Sequence, residues 1–562
     1  MKNINKIKFL LVLFLGLSIF SCETTDLDLL NDPNQITVEN GNLERYLVSI
    51  QVDFANFAEA MGRNGAQLTR IEQMSSISYA NAFDPGSTNY EWGLAYQGMF
   101  SDMLNAEQLA IEQGANKHIG VMKILKAYTL ITLVDYFGDV PFSEATNLAD
   151  FPNPNLDDDA SVYAAAINML DEGIMFVNEE GLNLENDFYY NNDFDKWRKL
   201  AKTLKMNAYV NTRLVDGDAM NKFNAIANSG DFIATTADDF QFTWDIVNNN
   251  EIDARHPAYS ADYTSGGATR YRSNYFMDMM LNDNDPRIRY YFFRQNECTP
   301  GNFDADGVAC ANNTQQLFCS AEPRPIHYTA GMVFCSVASG YWGRDHGFQG
   351  GIPPDSFART ATGVYPAAGN YDDDRYSTTG LEQGGQGAGI TPIMLASWAH
   401  FMVAEMNLAG GNTGGANTYL QQAMQISIDK VMSFGSEDPD ANLDTTDEGG
   451  TVPTSTEVSN YISSVSNAFA NGNANDKWEI YSLQQLKAHY GNGTDTYNMY
   501  RRIGYPKSLQ INIEPSPGNF VRSFLYPADE ANANSNITQK ANVNAQIFWD
   551  NNPASPAFPS AN

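Results

Sequence analysis

The cysteines are the residues whose position points most directly to covalent chemistry. Cys22 follows Ser21 at the end of a short apolar run, where a bacterial lipoprotein signal is cleaved. The Cys22 thiol would then carry a diacylglyceryl group, and the new amino terminus a further acyl chain. Because each buried methylene contributes about 0.8 kcal/mol, more than one acyl chain anchors a water-soluble protein stably.

The residues before Cys22 are arranged as an export signal. Lysines precede an apolar run from Phe9 to Leu17, which is too short to span a bilayer comfortably. An ordinary secretory signal with an incidental cysteine and an uncleaved membrane helix are the alternatives. We expect residues 1–21 to be a signal peptide and residues 22–42 to be a polar tether from lipidated Cys22.

Four further cysteines lie within 38 residues of one another: Cys298, Cys310, Cys319 and Cys335. An exported protein meets an oxidising environment, so this spacing predicts two disulfides, with three connectivities open. A metal site is the alternative, although no pair has the C-x-x-C spacing of zinc sites. The disulfides would stabilise a long loop that has no core of its own.

Oxygen-bearing side chains between these cysteines resemble half of a calcium loop. Asp304 and Asp306 alternate with other residues ahead of Gly307, as calcium ligands do. Position twelve would be Asn313 instead of a bidentate glutamate, so a plain Asp-Gly turn is the alternative. A structural calcium ion is therefore the only cofactor that we consider.

Motifs for catalysis are absent from the sequence. The six histidines form no H-E-x-x-H arrangement, and neither G-x-S-x-G nor the phosphate-binding G-x-x-x-x-G-K-[ST] occurs. Paired carboxylates for glycoside hydrolysis are easily found among 67 acidic residues, so their presence carries no signal without geometry. We expect a binding protein and no enzyme.

Two irregular stretches carry rings beside polar side chains, a combination that suits a neutral, hydroxylated ligand. Rings stack on sugar faces, and amides, carboxylates and guanidinium groups bond the hydroxyls. A ring pinned in the core or in a partner interface is the alternative at each position. The candidates are Tyr79, Asn81, Phe83, Asp84, Asn89, Tyr90 and Trp92 in the first stretch, and Tyr341, Trp342 and Arg344 in the second.

The charge of the chain excludes some partners. Acidic residues outnumber basic ones by 67 to 34, a net charge of −33, which argues against nucleic acid and anionic lipid. Solubility at a crowded surface is the simplest explanation of this charge. We expect contact with the membrane only through the lipid anchor.

Helical periodicity dominates the chain and must provide the scaffold for these candidates. Apolar residues at i, i+3, i+4 and i+7 spacing predict a mainly α fold, built as a single domain over residues 43–562. Periodicity fades over about 230–390, which predicts a loop-rich insert. Helices are predicted at 43–73, 117–137, 160–177, 194–214, 219–228, 393–408, 416–432, 456–467 and 476–490.

Several short motifs, in order and at specific spacing, resemble the SusD/RagB outer-membrane lipoproteins of Bacteroidetes, in particular the SusD-like branch. The resemblance extends over essentially the whole mature length. The motifs are Ser21-Cys22 with Asp-Pro-Asn soon after, Tyr136 to Ala145 (YFGDVPFSEA), Leu200 to Ala208 (LAKTLKMNA), Ala404-Glu405, Arg501 to Pro506 (RRIGYP), Phe524 to Pro527 (FLYP) with Glu530, and Trp549-Asp550.

This resemblance implies tetratricopeptide-like helix pairs carrying long irregular loops, and no catalysis. It implies a cell-surface, lipid-anchored protein of the outer membrane that passes a nutrient to a SusC-like TonB-dependent transporter. The nutrient is most often an oligosaccharide or polysaccharide and sometimes a peptide; a secreted glycan hydrolase and a structural lipoprotein are the alternatives. The matched motifs resemble packing motifs, so we expect Arg501 and Arg502 to be structural ion-pair partners.

Overall fold

The computed structural model describes residues 41–147, 149–249, 251–298, 319, 323–350, 355–446 and 450–553. The described residues from Leu43 onward form one compact unit. The predictions for Cys22, Cys310, Asp304 and Asp306 fall outside the described residues.

The amino-terminal half supplies most of the long helices. They begin where polar caps meet apolar periodic stretches; Asp158 and Asp193, for example, accept backbone N–H groups at two helix starts. The elements are α1 (Leu43–Leu68), α2 (Tyr79–Ala82), α3 (Asn89–Gly93), a π-helix (Leu94–Met99), α4 (Phe100–Gln113), α5 (Asn116–Phe137), α6 (Asp159–Asn178), α7 (Phe194–Thr212) and α8 (Ala219–Ser229).

The stretch predicted to be rich in loops contains only short elements. They are β1 (Phe240–Thr243), α9 (Pro257–Asp262), α10 (Asn274–Asn282), α11 (Ile288–Tyr291), β2 (Phe292–Phe293), β3 (Ala361–Thr362) and β4 (Ile390–Met394). Strand β1 pairs antiparallel with β4, and β2 pairs antiparallel with β3. A disulfide joins Cys319 to Cys335, and Cys298 is also disulfide-bonded.

The carboxy-terminal half returns to long helices and ends in an extended segment. Its helices are α12 (Ala396–Ala409), α13 (Thr413–Met432), α14 (Ser455–Asn471), α15 (Ala474–Ala488), α16 (Thr494–Ile503) and α17 (Ala528–Ala533). The segment after α16 lies over the amino-terminal half, where the Tyr526 hydroxyl donates to the Asp139 carbonyl at 2.9 Å.

Consecutive helices pack in pairs, which confirms the predicted mainly α, tetratricopeptide-like scaffold. The pairs are α5 with α6, α7 with α8, α12 with α13, and α14 with α15. Helix α5 is apolar around its whole circumference because other helices cover it on several sides. Among the described helices, α6 is long and apolar enough to cross a membrane, but it packs against α5 and α7.

The end of α5 is a turn that only glycine fits well. Gly138 has φ +70°, in the left-handed region, and its N–H bonds the Val134 carbonyl. The neighbouring Tyr136 hydroxyl donates to the Met61 carbonyl of α1 at 2.7 Å. The motif that begins at Tyr136 therefore bonds the end of α5 to α1.

Helix α16 is buried although its sequence is polar, because its side chains bond three other helices and the residue that follows α1. The Asn498 amide donates to Asp135 of α5 at 2.7 Å, and the hydroxyl oxygens of Thr496 and Thr69, directly after α1, lie 3.1 Å apart. Arg502 donates to Asn211 of α7 at 2.5 Å. Neither α16 nor α4 was predicted from the sequence.

A buried ion pair connects α16 to α12. Arg502 donates two hydrogen bonds of 2.7 and 2.6 Å to Glu405, and the Tyr481 hydroxyl donates to the same carboxylate at 3.0 Å. Burial alone would raise the pKa of Glu405, but the Arg502 and Arg213 guanidinium groups hold it below its ordinary value.

The expected ion-pair role is confirmed for Arg502 and wrong for Arg501. Within the described part of the chain Arg501 forms no ion pair. It donates instead to the Arg522 carbonyl and the Asn498 side chain, at 2.6 and 2.7 Å, and stacks on Tyr497. Neutral oxygens thus bond two nitrogens of this buried guanidinium, while its Nε has no hydrogen-bond partner among the described residues.

We predict that Glu405→Gln lowers the free energy of unfolding by roughly 3–5 kcal/mol at pH 7, because it leaves buried guanidinium groups without a counter-charge. Glu405 has a depressed pKa in the folded state, so its stabilising effect is complete above the unfolded pKa. The effect disappears as the pH falls through the folded pKa. Urea unfolding at pH 7 and below pH 4 measures the difference from the native protein.

The matched control is Asp171→Asn, which removes the partner of Lys205 from a half-exposed pair. This change should alter the free energy of unfolding by at most about 1 kcal/mol. Equal effects of the two substitutions at pH 7 would contradict a dominant role for the buried pair.

Candidate functional site

The structure brings the two candidate stretches together. The Gly347 N–H donates to the Met74 carbonyl at 2.9 Å, and the Ile77 N–H donates to the Gln349 side chain at 3.3 Å. The rings of Tyr79 and His346 lie 5.9 Å apart. Because both stretches are irregular, this neighbourhood depends on tertiary contacts that connect the start of the domain to the insert.

Most candidate rings nevertheless face inward. Tyr79, Phe83, Trp92, Tyr341 and Trp342 are each at most 4% exposed. Tyr79 packs on Phe520, and Phe83 packs on Phe524, with ring centroids 5.6 and 5.0 Å apart. The expectation that these rings offer open faces to a ligand is corrected, because rings in a glycine-rich loop supply the apolar contacts that the loop lacks.

Tyr90 is the exception among the candidate rings, with 60% of its surface exposed. It lies two residues before buried Trp92 on one helical turn, so the two side chains point in different directions. Burial and the charges of Asp53, Glu59 and Glu91 raise the pKa of the Tyr90 hydroxyl. Tyr90 therefore combines an accessible ring with close carboxylates.

Polar side chains of α1, together with Arg270 from the loop before α10, lie around these carboxylates. We call this group the Tyr90 cluster; its members are Tyr90, Glu59, Arg63, Asn64, Glu91 and Arg270. The Asn64 amide donates to Glu91 at 3.1 Å, and the Arg63 Nε lies 3.4 Å from Glu72. Burial is the largest influence on Glu59 and raises its pKa, against the lowering effect of Arg270 and Arg63. Burial likewise raises the pKa of Glu91.

Several atoms of the Tyr90 cluster have unused hydrogen-bonding capacity. Arg63 Nε, Arg270 Nη1 and Glu91 Oε2 are buried and lack hydrogen-bond partners within the described ranges. An unsatisfied buried polar group costs about 1–3 kcal/mol, so water or a ligand hydroxyl bound there would be stabilised. Sequence reasoning missed this cluster because Arg63 and Asn64 resemble ordinary solvent-facing helix residues.

The polar candidates around Tyr90 have mostly local roles. Asn81 is exposed, whereas Asp84 accepts the Gly86 N–H at 2.7 Å and closes a turn. Asn89 accepts the Asp529 N–H at 3.2 Å. Of these three residues, Asn81 is the one whose exposed side chain closes no turn and accepts no backbone N–H among the described residues.

Arg344 belongs to a second, tightly packed group. Its guanidinium lies 3.8 Å from the ring centre of Tyr271, and that of Arg359 lies 3.9 Å from the same centre. Two groups at that distance must cover opposite faces of the ring. The Tyr271 hydroxyl also donates to Asp355 at 2.9 Å, so this group is held together internally and offers a ligand no free ring face.

One cluster in the described residues could be considered for a metal ion. Carboxylate oxygens of Asp139, Asp158 and Asp159 lie within 4.8 Å of one another. Asp139 accepts the Asp159 N–H at 3.0 Å, and Asp158 accepts the Ser161 N–H at 3.0 Å. The carboxylates thus cap the start of α6, and we assign no metal to them.

Solved structures share this fold. A SusD/RagB family protein from Bacteroides thetaiotaomicron is 19% identical, with a TM-score of 0.63 over 91% of this chain and 99% of that chain. A protein described as chitin-binding is 18% identical, with a TM-score of 0.62 over 91% and 100% of the two chains. A chitin-binding SusD homolog from Flavobacterium johnsoniae is 14% identical, with a TM-score of 0.60 over 91% and 99%.

Two family models match this chain. One described as "Starch-binding associating with outer membrane" matches residues 33–344, and one described as "Susd and RagB outer membrane lipoprotein" matches residues 357–552. No curated protein is similar enough to match. The two family models meet inside the insert and together span the helical scaffold, so the chain belongs to the SusD/RagB family of outer-membrane lipoproteins.

Proposed function

We propose that this protein captures a glycan at the cell surface through the Tyr90 cluster and delivers it to a partner TonB-dependent transporter of the SusC type. The observation that carries the proposal is the exposed Tyr90 ring beside buried, unsatisfied guanidinium and carboxylate atoms. Family membership supports the outer-membrane location and the binding role. The lipid on Cys22 would hold the protein at that surface.

Each part of the Tyr90 cluster suits one part of a sugar. The Tyr90 ring covers the apolar face of the pyranose, and the Arg63 and Arg270 guanidinium groups donate to hydroxyl oxygens. Glu59 and Glu91 accept from the hydroxyls. Because the ligand hydroxyls replace hydrogen bonds that the buried atoms lack, binding gains selectivity over apolar ligands of the same size.

For the glycan we propose a polymer of N-acetylglucosamine as the first candidate, supported by two structural relatives that are described as chitin-binding. Those relatives share less than 20% identity with this chain. A peptide is the alternative ligand within the same uptake system. An oligosaccharide panel with chitin-type, starch-type and peptide probes separates these ligands.

Hydrolysis of a glycan is a second candidate function, because it could use the same carboxylates. Glu59 and Glu91 both have raised pKa values, as a general acid of a glycosidase does. We favour binding without catalysis, in line with the family. Incubation of the purified protein with chitin oligosaccharides, followed by measurement of new reducing ends, would reveal hydrolysis.

We predict that Tyr90→Ala weakens binding of chitohexaose about tenfold, since stacking on one ring contributes about 1.4 kcal/mol. Tyr90→Phe keeps the ring and should retain most of the affinity. Isothermal titration calorimetry gives both constants.

The matched control is Phe188→Ala, which removes a ring that is 40% exposed and lies outside the Tyr90 cluster. This variant should bind as the native protein does. An affinity unchanged by Tyr90→Ala would place the glycan elsewhere on the surface.

We predict that Cys22→Ser releases the protein from the outer membrane, because the thiol that accepts the lipid is lost. Fractionation of cells and mass spectrometry of the mature amino terminus measure the change.

The native protein should co-purify with a TonB-dependent transporter after detergent extraction. Membrane retention of the serine variant, or an amino terminus without acyl chains, would refute the anchor.

A further inference from the structure

A cavity of about 420 Å³ lies between the π-helix, the loop after α5 and α17. Trp92 and Tyr96 line it, with ring centroids 4.6 Å apart. Its size falls within the range of small-ligand pockets. The prolines Pro141, Pro152 and Pro154 add rigid apolar surface to the lining.

The walls of this cavity are fixed before any ligand arrives. The Tyr96 hydroxyl donates to the Pro141 carbonyl at 2.8 Å, and the Asn534 amide donates to the Pro154 carbonyl at 2.9 Å. The Phe100 N–H reaches back five residues to the Ala95 carbonyl, the hydrogen bond of a π-turn. Such turns occur often at functional sites, where they re-aim side chains, and here the turn contains Tyr96.

Trp92 has an unused donor in this cavity. Its side chain is only 4% exposed, yet its indole N–H has no acceptor in the part of the chain that the structure describes. Trp92 is one of the residues that line the cavity. Four of the six other indoles donate to a protein acceptor: Trp197 to Asp187, Trp244 to Thr391, Trp398 to Ala488 and Trp549 to Asp135. The buried Trp342 Nε1 also lacks a partner among the described residues, but Trp342 does not line this cavity.

The rest of the lining defines the kind of ligand. Gln97 and Ser101 are exposed polar residues at the cavity, and Glu530 contributes a carboxylate. The described lining contains no lysine, arginine or histidine, which disfavours an anion. The cavity volume of about 420 Å³ suits a small ligand.

We propose that this cavity is a second saccharide site, which binds one N-acetylated sugar residue. The acetamido carbonyl accepts from the Trp92 indole N–H, the acetyl methyl group packs on the proline walls, and the sugar hydroxyls bond Gln97, Ser101 and Glu530. This inference rests on the proposed glycan capture and extends it, because it names the sugar substituent that the protein recognises. It requires no group from the Tyr90 cluster.

The test is a titration of ¹⁵N-labelled protein with N-acetylglucosamine and, in parallel, with glucose. The indole N–H signal that disappears in Trp92→Phe is that of Trp92. We expect this signal to shift saturably with N-acetylglucosamine and to remain in place with glucose, which has no acetamido carbonyl. Trp92→Phe should weaken binding about tenfold, the effect of losing a hydrogen bond of about 1.4 kcal/mol.

Three variants keep the result interpretable. Gln97→Ala changes an exposed residue at the cavity and leaves the core intact. It should lower the affinity for N-acetylglucosamine several-fold, so the test holds even if Trp92→Phe folds poorly. Trp478→Phe makes the same chemical change outside the cavity and should leave the affinity unchanged. Tyr90→Ala should preserve the Trp92 shift, so loss of polymer capture and loss of this site are distinguishable.

Two outcomes would overturn the proposal. A Trp92 signal that does not respond to N-acetylglucosamine would show that the cavity does not bind the sugar. Equal shifts with glucose would show that the acetamido group is not recognised.

Discussion

The buried ion pair between Arg502 and Glu405 is the interaction on which the rest of the structure depends. It joins α16, near the end of the chain, to α12, while Asn498 and Asp495 of α16 bond α5 and α7, and Thr496 bonds Thr69 directly after α1. Any other docking of α16 would leave a charge buried without its partner, at a cost of several kcal/mol. The pair therefore fixes one arrangement of the helices, and it also fixes the base from which the loops extend.

The sequence predicted the long helices because their apolar residues reflect burial, on one face in most helices and on nearly every side in α5. Helix α5 is the clearest case, and its predicted range of 117–137 differs from the structure by one residue. Helix α16 was missed because its interior contacts are hydrogen bonds and ion pairs made by residues such as Asn498 and Arg502, which resemble surface residues in sequence. Burial of polar residues depends on distant partners that no local pattern contains.

The candidate site shows the same limit. The two loop stretches were chosen for their rings, and they are neighbours, yet five rings lie in the interior and Tyr90 does not. Local composition predicts that a loop has aromatic residues, but only the neighbouring chain decides which side of a turn faces solvent. Arg63 and Arg270 gain their importance from proximity to Glu59 and Glu91, and these residues come from three separate parts of the sequence.

The π-helix has an evolutionary consequence. A π-turn contains one residue more than an α-turn, so loss of one residue from Leu94–Met99 would turn everything before it by about 100° relative to α4. Trp92 would then move away from Tyr96, while α4 could keep its own packing. A deletion or insertion of one codon could thus remove or restore this cavity within a lineage, with no substitution of the residues that line it.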